Sequence, residues 1–372
     1  MMSKIGLYIH IPFCRKICNY CDFYKRVSSN EIQDKYVDYL IKDLHLNLKP
    51  FKTIYIGGGT PSSLNLNNLN KLLNEINRVV KISEIEEFTI EVNPEDINLE
   101  LVKCLKTNNV NRISIGIQTF NERLNKYLGR HSEYEDIKDK IKLLKDNGLS
   151  NINLDLMYGI ANESLDELES DIDKILSLDV KHISTYSLIL EEKTILYHQY
   201  QKGLFKLADE DLERNMYDLI IDKLTKNNYI HYETSNFSKP TYESKHNNIY
   251  WSNEEYVGIG AGSSGYENNY RYKNTTSLDE YYRGIDNKNK VFEENENIDL
   301  NTKMMEEIIL GLRKNNGVSV IKFYEKFNKD LLDVFPNIID LIEQKFLIIE
   351  NNYLKITKDN YYISNAILTK II

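Results

Sequence analysis

Short apolar runs and longer amphipathic stretches alternate along the first half of the chain. Residues 7–11, 53–56, 88–92, 112–117, 152–157 and 183–188 are each short and rich in Ile, Val, Thr or Tyr, which predicts six strands. Between them the period lengthens. Ile32, Tyr36, Leu40, Leu44 and Leu48 recur every four residues and lay one apolar stripe along a helix over 32–48. Similar stretches predict helices over 66–79, 99–106, 134–145 and 165–178. Six strand–helix repeats imply an α/β fold with a parallel sheet and right-handed crossovers, either doubly wound or curled towards a barrel. In both arrangements ligands sit at the C-terminal strand ends.

Beyond residue 188 the pattern loosens. It predicts a helix over 212–226 and one further strand in HYETSNFS, residues 231–238. From about residue 301 a new unit begins, with short helices over 303–312, 318–327 and 338–343. FLIIENNYLKIT then supplies two β-prone runs around Asn351-Asn352, a hairpin signal. Helices followed by a hairpin predict a small winged-helix-like α+β domain. The expected division is therefore 1–230, an extension over 231–300, and a C-terminal domain over 301–372.

Composition narrows the function. With 372 residues, 41% hydrophobic and 28% charged, the chain has a packed core and is too apolar for disorder. A net charge of -9 argues against a sequence-independent grip on nucleic acid. The 10 Lys/Arg and 9 Asp/Glu of residues 301–372 likewise give the C-terminal domain no basic face for DNA. The first residues, MMSKIGLYIHIPFCRK, lack the apolar core of a leader, and no run approaches a membrane helix, so the expected location is cytoplasmic. Of the four cysteines, Cys14, Cys18 and Cys21 fall within eight positions, a clustering that in a reducing compartment means metal. Cys104 stands alone and is expected to be a small core residue.

The thiols are spaced C-x3-C-x2-C on what must be a loop, since Pro12 and the change of pattern stop the strand from continuing as a helix. Thiolates bind iron–sulfur clusters or zinc. Three thiolates on a four-iron cube leave one iron open for a ligand. The plainer alternative is a structural zinc site with His10 as fourth ligand, although zinc pairs usually come as C-x2-C with a distant second pair. The strand ends gather the other candidates: GGGTP after the second strand, and Glu91, Gln118 and Asp155 at or near the ends of the third, fourth and fifth.

C-x3-C-x2-C after a first strand resembles the signature of the radical S-adenosylmethionine enzymes. YIHIPFC, GGGTP, EVNPE, SIGIQTF, LGRH, NLDLMYG and HNNIYW extend the resemblance, in order, to the HemW branch of the oxygen-independent coproporphyrinogen III oxidase-like family, over nearly the whole chain. The resemblance implies a partial (β/α)6 barrel with a small C-terminal domain. It implies a [4Fe–4S] cluster on Cys14, Cys18 and Cys21 whose fourth iron is chelated by S-adenosylmethionine, which the reduced cluster cleaves by one electron. Tyr8 and Tyr20 match aromatic positions contacting the nucleoside, and Gly58, Gly59 and Thr60 the loop that approaches the methionine end. Glu91 matches an acidic ligand-binding position. Gln118, Arg130 and Asp155 match positions that contact a second S-adenosylmethionine in the oxidases. Duller roles are available to each: a tight turn at Gly57 to Gly59, an Arg130–Asp155 ion pair, core packing for Tyr8.

Two departures select the branch. The oxidases resemble C-x3-C-x2-C-x-C, and this chain has Phe23 at the last position; they also carry a long N-terminal extension, and here 13 residues precede Cys14. Both features are similar to the haem chaperones, which bind haem as cargo and deliver it to respiratory-chain proteins. His246 of HNNIYW offers an imidazole to haem iron, with Tyr250 and Trp251 able to stack on a porphyrin. The alternative is an aromatic core cluster with a surface His. The acceptors being membrane-bound, peripheral membrane contact is also expected. Three functions stand at this point: a haem chaperone, a coproporphyrinogen oxidase, and a structural metal-binding protein. Local loops depart from the relatives at YGIANES, EEKT and GIGAGSSG.

Overall fold

A computed structural model describes residues 4–372; Met1, Met2 and Ser3, the start of the stretch read as lacking a leader, lie outside the described residues. Six strands run parallel side by side in chain order: β1 (Ile5–Ile11), β2 (Phe51–Gly58), β3 (Glu87–Val92), β4 (Arg112–Gln118), β5 (Ile152–Tyr158) and β6 (His182–Ser187). Helices α1 (Asn30–Leu46), α2 (Leu66–Val79), α3 (Leu99–Thr107), α4 (Glu122–Leu128), α5 (Tyr134–Asp146) and α6 (Leu165–Ser177) connect them. The strands alternate along their length. Ile54, Ile56, Ile113 and Ile115 pack into one core with Tyr36, Val37, Leu40 and Leu44 of α1. The residues between them, Thr53, Tyr55, Arg112 and Ser114, are polar and face the other side of the sheet, the barrel interior.

Helices α7 (Ile195–Gln201) and α8 (Glu210–Lys226) lead to a hairpin, β7 (Ile230–Glu233) and β8 (Asn236–Ser238), which closes one edge antiparallel to β6. Helix α9 (Lys245–Trp251) then carries the chain across to the opposite edge. There β9 (Tyr256–Ile259) pairs parallel with β1, and β10 (Ser264–Glu267), β11 (Tyr270–Asn274) and, after α10 (Leu278–Asp286), β12 (Phe292–Asn297) extend the sheet antiparallel. The 12-stranded order is β12-β11-β10-β9-β1-β2-β3-β4-β5-β6-β8-β7. The segment expected as an extension over 231–300 thus completes both edges of one sheet.

The C-terminal unit has its own core, built from Met304, Ile308, Phe323, Leu331, Leu354 and Ile371 among others. Its elements are α11 (Leu300–Gly311), β13 (Val318–Ser319), α12 (Val320–Phe327), α13 (Leu331–Val334), α14 (Asn337–Glu343), β14 (Leu347–Glu350), β15 (Tyr353–Ile356) and α15 (Ser364–Ile371). Asn351 and Asn352 turn the β14–β15 hairpin with φ 51° and 64°, the two left-handed positions of a type I′ turn. Main-chain bonds from Thr234 N to Arg313 O (3.0 Å) and Asn315 N to Tyr232 O (3.0 Å) fasten this unit to the β7–β8 hairpin.

Three expectations are corrected. The apolar stripe of α1 ends before Leu48, which lies past the helix and is 42% exposed. HYETSNFS forms the β8 strand and most of β7, because the chain reverses at Thr234-Ser235. Strands β9 to β12 carried no readable alternation: they are short, and all six residues of β12, FEENEN, are exposed.

Candidate functional site

The cysteine loop springs from the C-terminal end of β1. Its base is closed by Cys14 N donating to Arg26 O (3.0 Å) and Arg26 N to Pro12 O (2.8 Å). Its tip is tied down at Asn19, whose amide donates to Leu128 O (3.0 Å) and whose side chain donates to Tyr127 O (2.8 Å) at the end of α4. Between these anchors Cys14, Cys18 and Cys21 are free thiols, each half-buried. Burial pushes the Cys14 thiol up to about 11 and raises that of Cys21, so a metal taking these ligands must displace their protons. The Arg130 guanidinium lies 3.3 Å from Cys18 Sγ, a cation placed to stabilise a thiolate.

The GGGTP loop at the end of β2 grips the same segment. Gly59 N donates to Ile11 O (2.8 Å), Thr60 N to Phe13 O (2.8 Å) and the Ser63 hydroxyl to Phe13 O (3.0 Å). The glycines are required by closeness as well as by the turn. Gly58 has φ +117°, and a Cβ there would sit 2.6 Å from the His10 ring; a Cβ on Gly59 would stand 2.7 Å from Phe13 O and 3.0 Å from Cys14 Sγ. Gly58 N also donates to Glu91 Oε2 (3.2 Å), while Tyr55 donates to Glu91 Oε1 (2.7 Å). Burial raises the Glu91 carboxyl to about 7, against which these two bonds work, so it titrates near neutrality.

At the end of β4, Gln118 is nearly buried and adopts φ +65°, a left-handed conformation uncommon outside glycine. Arg130 bonds Gly116 O (2.6 Å) and Asn93 Oδ1 (3.1 Å) in addition to Cys18. It forms no ion pair with Asp155, among the described residues; Asp155 accepts instead from Asn153 (2.7 Å), and burial raises its pKa. Asn93, two residues past Glu91 in EVNPE, joins Arg130 to Thr60 through its amide (3.4 Å to Thr60 Oγ1). It escaped the candidate set, although its place at a strand end beside an acidic candidate was the signal for it. Tyr8 bonds His10 Nδ1 (2.9 Å), and His10 Nε2 bonds Tyr24 O (3.0 Å). Both imidazole nitrogens are therefore occupied, which leaves His10 no free position as a fourth zinc ligand. Cys104, expected in the core, is half-buried against it.

HNNIYW lies at the other end of the strands. Glu87 at the start of β3 caps helix α9, accepting from Lys245 N (2.8 Å), His246 N (3.1 Å) and the Ser244 hydroxyl (3.2 Å). His246 is fully buried, with Nδ1 bonded to Thr53 Oγ1 (2.7 Å) and Nε2 to the Tyr250 hydroxyl (2.7 Å). Burial lowers its pKa to about 3, so it is neutral. In this arrangement His246 presents no open nitrogen to haem iron, and it is not the surface His of the alternative reading either. Tyr250 reaches past it towards Tyr256, with ring centroids 4.6 Å apart.

The residues at the C-terminal strand ends suit a [4Fe–4S] cluster with S-adenosylmethionine: three free thiols on one pinned loop, a glycine that keeps the space beside Cys14 Sγ clear, and a cation on Cys18. Comparison with known proteins gives the same result. Residues 8–175 match the Radical SAM superfamily and residues 298–359 the HemN C-terminal domain. The chain is 40% identical over 367 residues to the Heme chaperone HemW of Lactococcus lactis subsp. lactis (strain IL1403), covering 98% of this chain and 96% of that protein. It is also 40% identical over 347 residues to the Heme chaperone HemW of Bacillus subtilis (strain 168), covering 92% of each. Among solved structures, coproporphyrinogen III oxidase (HemN) from Escherichia coli, a radical SAM enzyme, superposes with a TM-score of 0.85 over 99% of this chain and 90% of its own. At 19% identity that likeness shows the fold alone. The chain belongs to the HemW family of the radical SAM superfamily, with the [4Fe–4S] and S-adenosylmethionine chemistry that membership implies.

Proposed function

We propose that this protein is a haem chaperone: it binds haem and hands it to a respiratory-chain acceptor. The observation that carries this reading is its 40% identity, along almost its whole length, to proteins named for that role. Cys14, Cys18 and Cys21 would hold the cluster, and Tyr8, Tyr20, Gly58, Gly59, Thr60, Glu91, Gln118, Arg130 and Asp155 would form the S-adenosylmethionine site. When bound, the cluster supplies one electron to S-adenosylmethionine, the chemistry common to the superfamily. The chain's own residues prepare the site for it. The GGGTP clamp fixes where Cys14 stands, Arg130 balances thiolate charge, and Glu91 keeps a carboxyl poised between its two protonation states at neutral pH.

A porphyrinogen oxidase is the less supported reading. Where those enzymes resemble a fourth cysteine this chain has Phe23, whose side chain is 72% exposed. We place the transfer in the cytoplasm, at the surface of the membrane that holds the acceptor; among the described residues no helix is long and apolar enough to cross a membrane.

Anaerobic reconstitution with iron and sulfide, followed by haem titration and coproporphyrinogen turnover on one sample, tests the reading. The expected outcome is a brown cluster absorbance, a Soret band on adding haem and no protoporphyrinogen. Protoporphyrinogen formation, or no uptake of haem, would overturn it.

A further inference from the structure

Arg112, the first residue of β4, is among the largest side chains that the fold buries completely, with 2% exposure. A guanidinium keeps its charge throughout the range in which proteins fold, and a charge shut away from water is costly unless a carboxylate pairs with it. Here none does. Among the described residues its Nε has no hydrogen-bond partner, and no carboxylate stands at ion-pair distance from the group. The other guanidinium near Asp155, that of Arg130, is engaged by Cys18, Asn93 and Gly116.

Register shows what the unpaired cation serves. On β4, Arg112, Ser114 and Gly116 alternate onto the inner face of the barrel; Ser114 pairs with Glu91 of β3 and Gly116 with Asp155 of β5. Arg112 therefore enters the interior one inward-facing position below Glu91 and two below Asp155. Burial raises both carboxyls, and the Arg112 charge opposes that rise at each. The same charge adds to burial in keeping the imidazoles of His182 and His246 neutral. Glu91, at about 7, is the group held in balance. Asp155 faces it and works against Arg112, while Tyr55 and Gly58 N donate to it; the phenols of Tyr8, Tyr186 and Tyr250, which also face it, are raised by burial and stay neutral.

S-adenosylmethionine is a sulfonium cation, so carboxyls that receive it in a buried site serve best as anions. An ion pair with Arg112 would secure their charge but occupy their oxygens. At a distance the cation favours the anionic form of both and leaves those oxygens to the ligand. We propose that Arg112 is a positioning residue of the S-adenosylmethionine site: an unpaired cation inside the barrel that keeps Glu91 and Asp155 anionic for a cationic ligand, acting through them. The inference rests on the assignment of Glu91 and Asp155 to that site above.

Equilibrium dialysis of S-adenosylmethionine against the cluster-loaded protein, between about pH 6 and 9, tests it. Wild-type affinity is expected to rise with pH through the Glu91 titration. In Arg112→Met the midpoint is expected to move up by about one pH unit, the order for a unit charge acting across about 10 Å at an effective dielectric of about 20, with affinity at pH 7 falling about fivefold. Arg112→Lys, which keeps the charge, is expected to restore the profile. In a Glu91→Gln background, Arg112→Met is expected to leave the midpoint where it is. Arg112→Gln carries the same test should Arg112→Met not fold. Affinity lost equally at every pH, or a midpoint that shifts as far in Arg112→Lys as in Arg112→Met, would overturn the inference, since packing alone then explains the residue. Wild-type binding indifferent to both Glu91→Gln and Asp155→Asn would instead remove the site assignment beneath it.

Discussion

At the N-terminal ends of the barrel strands the groups around α9 have protein partners: Glu87 takes three donors at the start of that helix and His246 has both ring nitrogens bonded, while Arg112 Nε is buried there without a partner among the described residues. At the C-terminal ends the groups are held in place but left reactive: three free thiols, a carboxyl raised to about 7, a glutamine in left-handed backbone and an aromatic cleft. The same residue types serve both ends. What differs is saturation: a buried group whose hydrogen bonds are all met contributes rigidity, and one whose valences are met only in part waits for a ligand. The closed end makes the open one possible, since strand ends can be positioned accurately only on a sheet that is anchored elsewhere.

The comparison can be broken at either end. Cys14→Ser should abolish cluster assembly, measured as iron and sulfide content after anaerobic reconstitution, while the urea midpoint of the metal-free protein stays near that of the wild type. A large loss of metal-free stability would show that the loop is part of the scaffold. Glu87→Ala should do the reverse. It strips three donors of their acceptor in a buried setting and should cost about 4 kcal/mol in urea unfolding. The remaining folded fraction should still take up its iron.

Acid sharpens the contrast through a smaller effect at each group. Burial holds His10 and His246 neutral, with pKa values lowered to about 4 and about 3. The unfolded chain binds a proton at each below about pH 6.5, so their contribution is fully present above that pH and is lost as pH falls towards their folded values. By pH 4 each should have withdrawn about 3 kcal/mol. Urea midpoints recorded from pH 7 to 4 should therefore fall, and His246→Gln should flatten the slope. An unchanged slope in that variant would mean that the closed end is not sealed as described.

Much of this was legible before any coordinates. Period-2 alternation in TIYIG, FTIEV and RISIG marks strands whose apolar side packs on helices, and the fold class follows from their repetition. The cysteine spacing marks a metal-binding loop, because three thiols within eight residues after a strand end suit a metal, and the resemblance to the radical S-adenosylmethionine enzymes makes that metal an iron–sulfur cluster. The edge strands β9 to β12 were not legible, since strands with exposed faces and few apolar residues look like loops until a neighbour supplies their hydrogen bonds. Nor was the task of GGGTP, whose amides spend themselves on Ile11 and Phe13 and whose missing Cβ atoms make room for that contact.

HNNIYW shows where the boundary lies. Its residue types announce chemistry, and its helical spacing puts His246 and Tyr250 one turn apart on one face. That is all local information can determine, because spacing decides which side chains are neighbours and nothing about what surrounds them. Only the tertiary structure decided that Glu87 and Thr53, from strands about 160 and 190 residues earlier, would bury the histidine, Glu87 taking its main-chain N–H and Thr53 its Nδ1, with Tyr250 at the cleft. The sequence by itself determined the cluster loop and the family. Which end of the barrel is sealed and which is open depends on contacts between residues far apart in the chain, and burial, which sets both hydrogen-bond saturation and pKa, is a property of those contacts alone.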